Sequence, residues 1–389
     1  MIYNLSEVNE RKRILISYEY FYPGYKAGGP IQSLTNLVSA FGNTFDFYVF
    51  TSAYDLGATK PYDDIVLNRW NDMSIGNHKI KVWYVGEKIK YEIVKKLITE
   101  INPTHVYING LYSLPFVIYP LIVCNKIKLS DNTIVAPRGM LQQGALAVKS
   151  TKKKVYLTAL KLSGALKKIT WHATTEDEKK DIEYFTGKLV RCVVAENIPK
   201  TPAPNIVYTT KSQGALKILY LSLISEKKNL LLLLQILKKC RAFIELDIFG
   251  PIKDNEYWNK CIEEMKSLPA NISIHYRGDV KPENVQQTIV NYQALVLLTK
   301  GENFGHALYE SLSVGRPIIT SFFTPWNDLE KKMAGRNVDI ANDQQMISVF
   351  EELAGKKQDE WNEYCSGAYS LSKAYFENQD FSSYEKLFA

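Results

Sequence analysis

The stretch LTKGENFGHALYESLSVGRPII, residues 298–319, is the most informative part of the chain for its fold. It begins with the end of an apolar run typical of a β-strand, and Glu302 and Asn303 are predicted to open a helix whose first turn can approach a ligand at Gly305. Glu310 lies eight residues after Glu302, two turns along the same predicted helix face. We therefore expect both carboxylates to point into one crevice beside the strand end.

Short apolar runs rich in β-branched residues alternate with segments of helical period on both sides of this stretch. The predicted strands are Ile14–Tyr18, Phe45–Thr51, Lys79–Val85, His105–Asn109, Thr133–Pro137, Thr170–Ala173, Val190–Val194, Lys217–Leu223, Ile244–Phe249, Ile272–Tyr276, Ala294–Thr299 and Pro317–Ser321. This alternation predicts βαβ units, and the expected fold class is α/β with two doubly wound domains.

The domain boundary is predicted near residue 205, where Pro199, Pro202 and Pro204 interrupt the periodic pattern. We expect one domain over residues 1–205 and a second over 206–370. Residues 371–389 are predicted to form a helix that returns to the first domain.

The composition is that of a globular protein: 46% of the 389 residues are hydrophobic and 23% are charged. The net charge of +7 suits anionic substrates or an anionic membrane surface but is too small to indicate nucleic acid. Five cysteines without metal-ligand spacing predict neither a disulfide framework nor a metal site. The polar start of the chain and the proline-interrupted apolar run at 111–124 predict no signal peptide and no membrane span, hence a cytoplasmic location.

Three further loops follow predicted strands, where open α/β sheets bind their ligands. Gly28 and Gly29 precede a helix whose N-terminus could hold a phosphate, although a plain turn explains them equally well. Arg138 lies between a proline and a glycine, which suggests a fixed backbone that aims it into the crevice to grip a phosphate; a surface arginine is the alternative. Lys227 and Lys228 stand at a helix start, where they suggest an anionic ligand or are simply solvated.

Taken together, these loops closely resemble glycosyltransferase family 4, whose retaining enzymes have the GT-B architecture of two Rossmann-like domains facing each other across a crevice. The resemblance covers most of the chain. The segments that carry it are Gly28-Gly29, Ala-Pro-Arg-Gly-Met-Leu (136–141), His-Ala-Thr-Thr-Glu-Asp-Glu (172–178), Lys-Lys-Asn (227–229), Ile-Phe-Gly-Pro (248–251), Tyr-Arg-Gly-Asp-Val (276–280), Glu-Asn-Phe-Gly (302–305) with Glu310, and Thr-Pro-Trp (324–326).

The resemblance implies roles for the donor side of the site. Glu302 would hold hydroxyls of the donor sugar, Glu310 would accept hydrogen bonds from the nucleotide ribose, and Lys228 would neutralise the departing diphosphate. The remaining residues implied to bind the donor are Asn303, Phe304 and Gly305 at the sugar and diphosphate, Gly28, Gly29 and Arg138 near the phosphates, and Gly278, Asp279 and Val280, with Arg277, beside the base.

Two positions depart from the family pattern. Leu223 stands where the family usually has an arginine, so that one of two diphosphate cations is missing. Asn109 stands where many members have a histidine, which removes a titratable group. A retaining front-face reaction tolerates that second loss, because the leaving phosphate itself takes the acceptor proton.

The resemblance implies a retaining glycosyltransferase that uses a nucleotide diphosphate sugar, requires no metal or other cofactor, and acts on a glycan or lipid-linked acceptor in bacterial surface polysaccharide assembly. The alternatives are another reaction of a nucleotide sugar or glycan, and a degenerate paralogue that binds nucleotide sugar or a partner without turnover. A lysine-rich helix predicted over residues 149–169 presents stripes of Lys154, Lys161 and Lys168 and of apolar residues. It is either ordinary scaffold or a contact with the inner face of the plasma membrane.

Overall fold

The computed structural model describes residues 11–86, 88–142, 150–187 and 190–389, which form two compact units. The first unit comprises the described residues up to Gly24, then Pro30–Ile198 and Asp380–Ala389. The second comprises Tyr25–Gly29 and Pro199–Gln379. The division between the two long segments therefore falls at Ile198 and Pro199 rather than near residue 205.

The first unit is built on an eight-stranded sheet with the order β3-β4-β2-β1-β5-β6-β7-β8. Every neighbouring pair is parallel except the β3-β4 hairpin at one edge. Its strands are β1 (Arg13–Ser17), β2 (Asp46–Ser52), β3 (Trp70–Ile75), β4 (His78–Val85), β5 (His105–Asn109), β6 (Thr133–Ala136), β7 (Thr170–Ala173) and β8 (Cys192–Val194). Its helices are α1 (Gly29–Phe41), α2 (Tyr91–Ile101), α3 (Tyr119–Lys126), α4 (Ser150–Leu162) and α5 (Glu176–Thr186).

The second unit has a six-stranded, all-parallel sheet with the order β11-β10-β9-β12-β13-β14. Its strands are β9 (Ala215–Leu221), β10 (Phe243–Phe249), β11 (Ile272–Gly278), β12 (Ala294–Leu297), β13 (Ile318–Ser321) and β14 (Gly335–Val338). Its helices are α6 (Leu230–Leu237), α7 (Asn255–Met265), α8 (Val285–Ile289), α9 (His306–Ser313), α10 (Asp343–Gly355) and α11 (Gln358–Glu377). The strand order reverses between β9 and β12, and at such a switch point the carboxyl ends of the strands leave room for a ligand.

The structure confirms the predicted α/β class, and each of the twelve predicted strands overlaps an observed one. Two strands escaped prediction. β3 reads WNDMSI and lies at the sheet edge, where polar side chains face water. β14 reads GRNV and has too few β-branched residues to stand out.

The end of the chain differs from the predicted single helix over 371–389. Helix α11 continues to Glu377, and α12 (Ser382–Leu387) then lies in the first unit. There the Phe388 ring lies 5.3 Å from that of Phe45, and Lys12 Nζ donates a 2.6 Å hydrogen bond to the Phe388 carbonyl. Among the described residues no helix is both long and apolar enough to cross a membrane.

The lysine-rich helix is shorter than predicted, because α4 ends at Leu162 and Lys168 lies beyond it with a left-handed backbone, φ 64°. Lys149, its predicted start, lies outside the described residues. The predicted apolar stripe comprises Val155, Leu162, Leu166 and Ile169. Val155 and Leu162 are exposed on α4, whereas Leu166 and Ile169 lie beyond its end.

Candidate functional site

The loops after β9 and β12 meet at the switch point of the second sheet, and an ion pair between Lys228 and Glu302 joins them. Thr299 Oγ1 lies 3.1 Å from Glu302 Oε1, and the Lys300 amide donates a 2.8 Å hydrogen bond to the Lys227 carbonyl. Burial lowers the pKa of Lys227. Two lysines and one carboxylate thus converge at the position where a parallel sheet binds ligands.

Glu302 does not lie on a helix, and the prediction that it shares a helix face with Glu310 is wrong. Helix α9 begins at His306, after Gly305, whose φ of 78° is the left-handed conformation that glycine adopts without strain. The Glu302 amide instead donates a 2.9 Å hydrogen bond to the carbonyl of Phe323, in the loop after β13. The segment before the helix is therefore a loop held to its neighbour.

Phe304 and Asn303 occupy this loop. The Phe304 side chain is buried, and its carbonyl accepts a 2.6 Å hydrogen bond from Trp326 Nε1. The two rings lie 5.5 Å apart in edge-to-face contact. Asn303 is half-buried. The aromatic contact fixes the backbone just before the N-terminus of α9.

Glu310 is the buried carboxylate of α9, with only 6% of its surface exposed. Its Oε1 accepts no hydrogen bond from the described residues, and Lys200 Nζ lies 3.7 Å away. Burial raises the pKa of Glu310 to about 7, and Lys200 opposes that rise. This carboxyl group therefore has one oxygen available for a hydrogen-bond donor from a ligand.

Gly28 and Gly29 follow the first strand in sequence but belong to the second unit by their contacts. Gly28 has a φ of 77°, and a Cβ at this position would lie 3.6 Å from Leu223 Cδ1. A Cβ at Gly29 would lie 3.4 Å from the ring of His306, the first residue of α9. Gly28 thus lies beside Leu223, the position at which the family arginine is missing, and Gly29 lies beside the start of α9.

Gly278 is the last residue of β11, and Asp279 and Val280 begin the loop that follows; all three are half-buried. Asp279 forms a 3.0 Å ion pair with Lys26 of the Gly28-Gly29 segment. Arg277 Nε lies 3.1 Å from Oδ2 of the buried Asp247 on β10. The two ion pairs hold both ends of this short loop.

Asp247 also belongs to the one cluster of potential metal ligands among the described residues, with Glu245 and His275. Tyr292 donates a 2.6 Å hydrogen bond to its Oδ2. Burial alone would raise the pKa of Asp247, but hydrogen bonds from Tyr292 and Arg277 outweigh burial and keep the pKa below its usual range. A cation, Arg277, thus already balances this carboxylate.

Arg138 lies in the first unit, where three of its nitrogens donate to internal acceptors. Nε donates to Asn109 Oδ1 at 2.8 Å, Nη1 to Asn197 Oδ1 at 2.8 Å, and Nη2 to the Tyr107 hydroxyl at 2.7 Å. The Tyr107 hydroxyl lies 2.7 Å from Nδ1 of the buried His172, whose pKa burial lowers to about 3. The guanidinium thus organises the carboxyl ends of β5 and β6.

The backbone turn at Arg138 is fixed from another side. Glu178 is buried and accepts a 2.6 Å hydrogen bond from the Gly139 amide. Its second carboxylate oxygen accepts from the Thr174 amide and hydroxyl at 2.8 and 2.7 Å. The prediction of a fixed backbone at this arginine agrees with these contacts, whereas its grip on a phosphate stays a prediction.

Sequence reasoning missed Lys200 and Thr299, which contact the two predicted carboxylates. Lys200 follows the proline-rich boundary segment, 110 residues before Glu310, and no local pattern joins the two. Thr299 could have been found, because it is the polar residue directly after a strand at the switch point.

Comparison with known proteins places the fold in a class. Two α/β units with parallel-dominated sheets are the fold of GT-B glycosyltransferases, and this chain has that fold. A family model described as glycosyl transferases group 1 matches residues 207–358, within the second unit. No curated protein sequence matches the chain.

Similar solved structures cover nearly the whole chain at low identity. Anabaena HepE in complex with UDP-glucose is 12% identical, with a TM-score of 0.70 over 96% of this chain and 99% of that one. The sucrose-phosphate synthase of Thermosynechococcus elongatus is 12% identical, with a TM-score of 0.69 over 97% and 99%. WaaG, a glycosyltransferase involved in lipopolysaccharide biosynthesis, is 12% identical, with a TM-score of 0.63 over 96% and 98%. The likeness concerns the fold.

Proposed function

We propose that the protein is a retaining glycosyltransferase of family 4 that transfers a sugar from a nucleotide diphosphate sugar to an acceptor hydroxyl. The observation that carries the proposal is the Lys228–Glu302 pair at the switch point of the second sheet, in the unit that also holds the buried Glu310. A cation, a sugar-binding carboxylate and a carboxylate with an available oxygen are the groups that such a donor requires. The match to glycosyl transferases group 1 over this unit supports the proposal.

In the proposed reaction the bond between the anomeric carbon and the diphosphate breaks, and its electron pair leaves with the nucleoside diphosphate. The acceptor oxygen bonds to the same face of that carbon, and its proton passes to the departing phosphate. Lys228 stabilises the charge that develops on the diphosphate, a contribution commonly worth about 10²–10³-fold in kcat. Glu302 holds the sugar hydroxyls and Glu310 the ribose, without a required metal or other cofactor.

The other donor contacts are assigned on the same basis. Asn303, Phe304 and Gly305 lie beside the N-terminus of α9, where backbone N–H groups suit a diphosphate. Gly28, Gly29 and Arg138 would face the phosphates. Gly278, Asp279 and Val280 would lie beside the base.

HepE was solved with UDP-glucose, which makes uridine nucleotides the first donors to test. WaaG is described as acting in lipopolysaccharide biosynthesis, which supports a glycan or lipid-linked acceptor and a role in bacterial surface polysaccharide assembly. Such an acceptor would be met in the cytoplasm, at the inner face of the plasma membrane.

The proposal is tested by thermal denaturation with a panel of nucleotides and nucleotide sugars, since a ligand that binds only the folded state raises the melting temperature. We expect UDP and at least one UDP-sugar to raise it. NMR of the product from an α-linked donor should then show an α-linkage. An inverted product would contradict retention, and a panel without any stabilising nucleotide would contradict the function.

Leu223 supports a second candidate, a degenerate paralogue that binds the donor without turnover, because a diphosphate cation is missing there. A wild-type protein that binds UDP-sugar but releases no UDP, together with a Leu223→Arg variant that does release UDP, would favour this candidate.

A further inference from the structure

A groove of about 650 Å³ opens on the first unit between α3 and α4. This volume lies in the usual range of small-molecule sites, about 300–1,000 Å³. Its wall and floor are mainly apolar, formed by Leu114, Ile118, Ile122, Tyr156, Leu160 and Ala165. Asn125, Lys126 and Ser163 supply its polar lining. The groove thus combines an apolar interior with a cation.

Large aliphatic side chains are exposed around this groove. Leu114, on its wall, is 55% exposed, and Val155 and Leu162 on α4 are 66% and 80% exposed. By contrast, Leu157 and Leu160 on the same helix are buried and hold α4 against the first unit. Because a scaffold helix needs only its buried face, the exposed aliphatic groups indicate a surface that contacts an apolar partner.

The segment of the chain that forms the groove is strongly basic. Residues 101–175 contain ten lysines and arginines and a single acidic residue, Asp131. The other 314 residues contain 38 basic and 40 acidic side chains, so the net charge of +7 comes from this one segment. Asp131 itself lies 3.8 Å from Arg191. Lys152, Lys154 and Lys161 are exposed on α4, and Lys126 lines the groove.

These observations favour one kind of occupant. A second copy of the chain on this face would bring two basic segments together, and their repulsion opposes such a dimer. A neutral apolar ligand would fill the groove but would not interact favourably with the positive charge of this segment. An amphiphile with a hydrocarbon chain and a negatively charged head can do both: its chain fits the apolar groove, and its head attracts the lysines.

We propose that the groove between α3 and α4 takes up the hydrocarbon chain of an anionic lipid, while Lys126, Lys152 and Lys154 contact lipid phosphates. The protein would thereby dock reversibly on an anionic bilayer. This inference goes beyond the transfer reaction and can be tested without measuring turnover.

The first experiment is flotation with vesicles of phosphatidylcholine alone or of equal parts phosphatidylcholine and phosphatidylglycerol. We expect binding to the mixed vesicles that weakens at high salt. The double variant Lys152→Glu/Lys154→Glu should bind to the mixed vesicles at least about tenfold more weakly than the wild type. The matched control, Lys60→Glu/Lys79→Glu, gives the same net charge with exposed lysines of the first unit outside the basic segment and should bind like wild type.

The second experiment tests the groove itself. Ala159 lines the groove and is exposed, so Ala159→Phe fills it without burying a larger side chain in the core. Leu114→Ser removes part of its wall. Both variants should reduce vesicle binding about three- to tenfold at unchanged melting temperature. Val66→Ser is the matched control, since Val66 is 56% exposed in the first unit but does not line the groove.

Photolabelling locates the chain directly. Phosphatidylglycerol with a photoreactive group in its acyl chain should label peptides within 114–126 and 152–165, and Ala159→Phe should abolish this labelling. Absent flotation, or flotation unaffected by the lysine and groove variants, would overturn the inference. Self-association that Leu114→Ser disrupts, in a protein that binds no vesicles, would instead make the groove an interface between copies. None of these outcomes bears on nucleotide binding.

Discussion

Lys200 Nζ lies 3.7 Å from Glu310 Oε1, and this oxygen accepts no hydrogen bond from the described residues. The lysine also lies 3.4 Å from the carbonyl of Pro282, which holds it near the carboxylate. Lys200 is the charged group that acts on Glu310, and it lowers the pKa of this carboxyl group that burial raises. The protonation of Glu310 therefore depends on the balance between burial and one lysine.

Glu310→Gln should stabilise the fold at neutral and alkaline pH and weaken the binding of nucleotide. The pKa of about 7 in the folded protein exceeds the value of 4.5 expected for an ordinary glutamate, so the folded state retains a proton that the unfolded state loses as pH rises. Wild-type stability should fall between pH 4.5 and 7, by about 3 kcal/mol at most, and the glutamine variant should lack this fall. Denaturant unfolding at pH 5 and pH 8 measures the difference.

The same substitution should weaken binding of UDP as well as of UDP-sugar, with about 1.5–3 kcal/mol lost for a charged hydrogen bond to the ribose. Calorimetry with free UDP checks this directly. Unchanged affinity in a correctly folded variant would rule out the ribose assignment.

Lys200→Met should move the pH dependence of donor binding upward. Wild-type affinity should rise about tenfold from pH 6 to pH 8 as Glu310 ionises through a pKa of about 7. Without Lys200, burial acts unopposed and raises the pKa of Glu310 further, so that the loss of affinity at pH 7 should largely recover at pH 9. Lys200→Arg keeps the charge and should behave like wild type. Equal losses at both pH values would mean that Lys200 does not act through Glu310.

Glu302→Gln and Lys228→Ala should separate binding from transfer. If Glu302 holds the sugar, its glutamine variant should lose transfer activity but keep its affinity for free UDP. Lys228→Ala should lower kcat about 10²–10³-fold, the usual effect of removing one group that stabilises developing charge. Single-turnover release of UDP, together with calorimetry, measures both. Full activity in either variant would mean that the Lys228–Glu302 ion pair has only a structural role.

Arg138→Met should destabilise the first unit by about 1–3 kcal/mol, the usual cost of one buried group left unpaired, because Asn109 Oδ1 loses its donor. Asn197 Oδ1 keeps the hydrogen bond from the Ser33 hydroxyl, and the Tyr107 hydroxyl keeps its contact with His172 Nδ1. Denaturant unfolding should show this loss. Unchanged stability combined with weaker binding of UDP would instead favour a role of Arg138 in binding phosphate. Arg138→Lys is the control, because it keeps the positive charge but loses the three hydrogen bonds.

Sequence by itself determined the features that depend on neighbouring residues. Alternating periodicity located twelve of the fourteen described strands, because buried parallel strands require continuous apolar runs. The loops after the strands pointed to Glu302, Lys228 and Glu310, because parallel strands present their carboxyl ends at a common edge. The sequence could not predict where α9 begins, because a glycine can either continue a helix or precede its first turn. The contacts around Gly305 decide between these two conformations.

Only the tertiary structure decided which residues the charged side chains of the site contact. It pairs Glu302 with Lys228 and Glu310 with Lys200, across separations of 74 and 110 residues for which no local pattern exists. It also engages Arg138 with three internal acceptors and leaves Val155 and Leu162 exposed beside a groove. Which groups a long side chain meets depends on elements brought together by folding, whereas local propensity constrains only the element on which the residue lies.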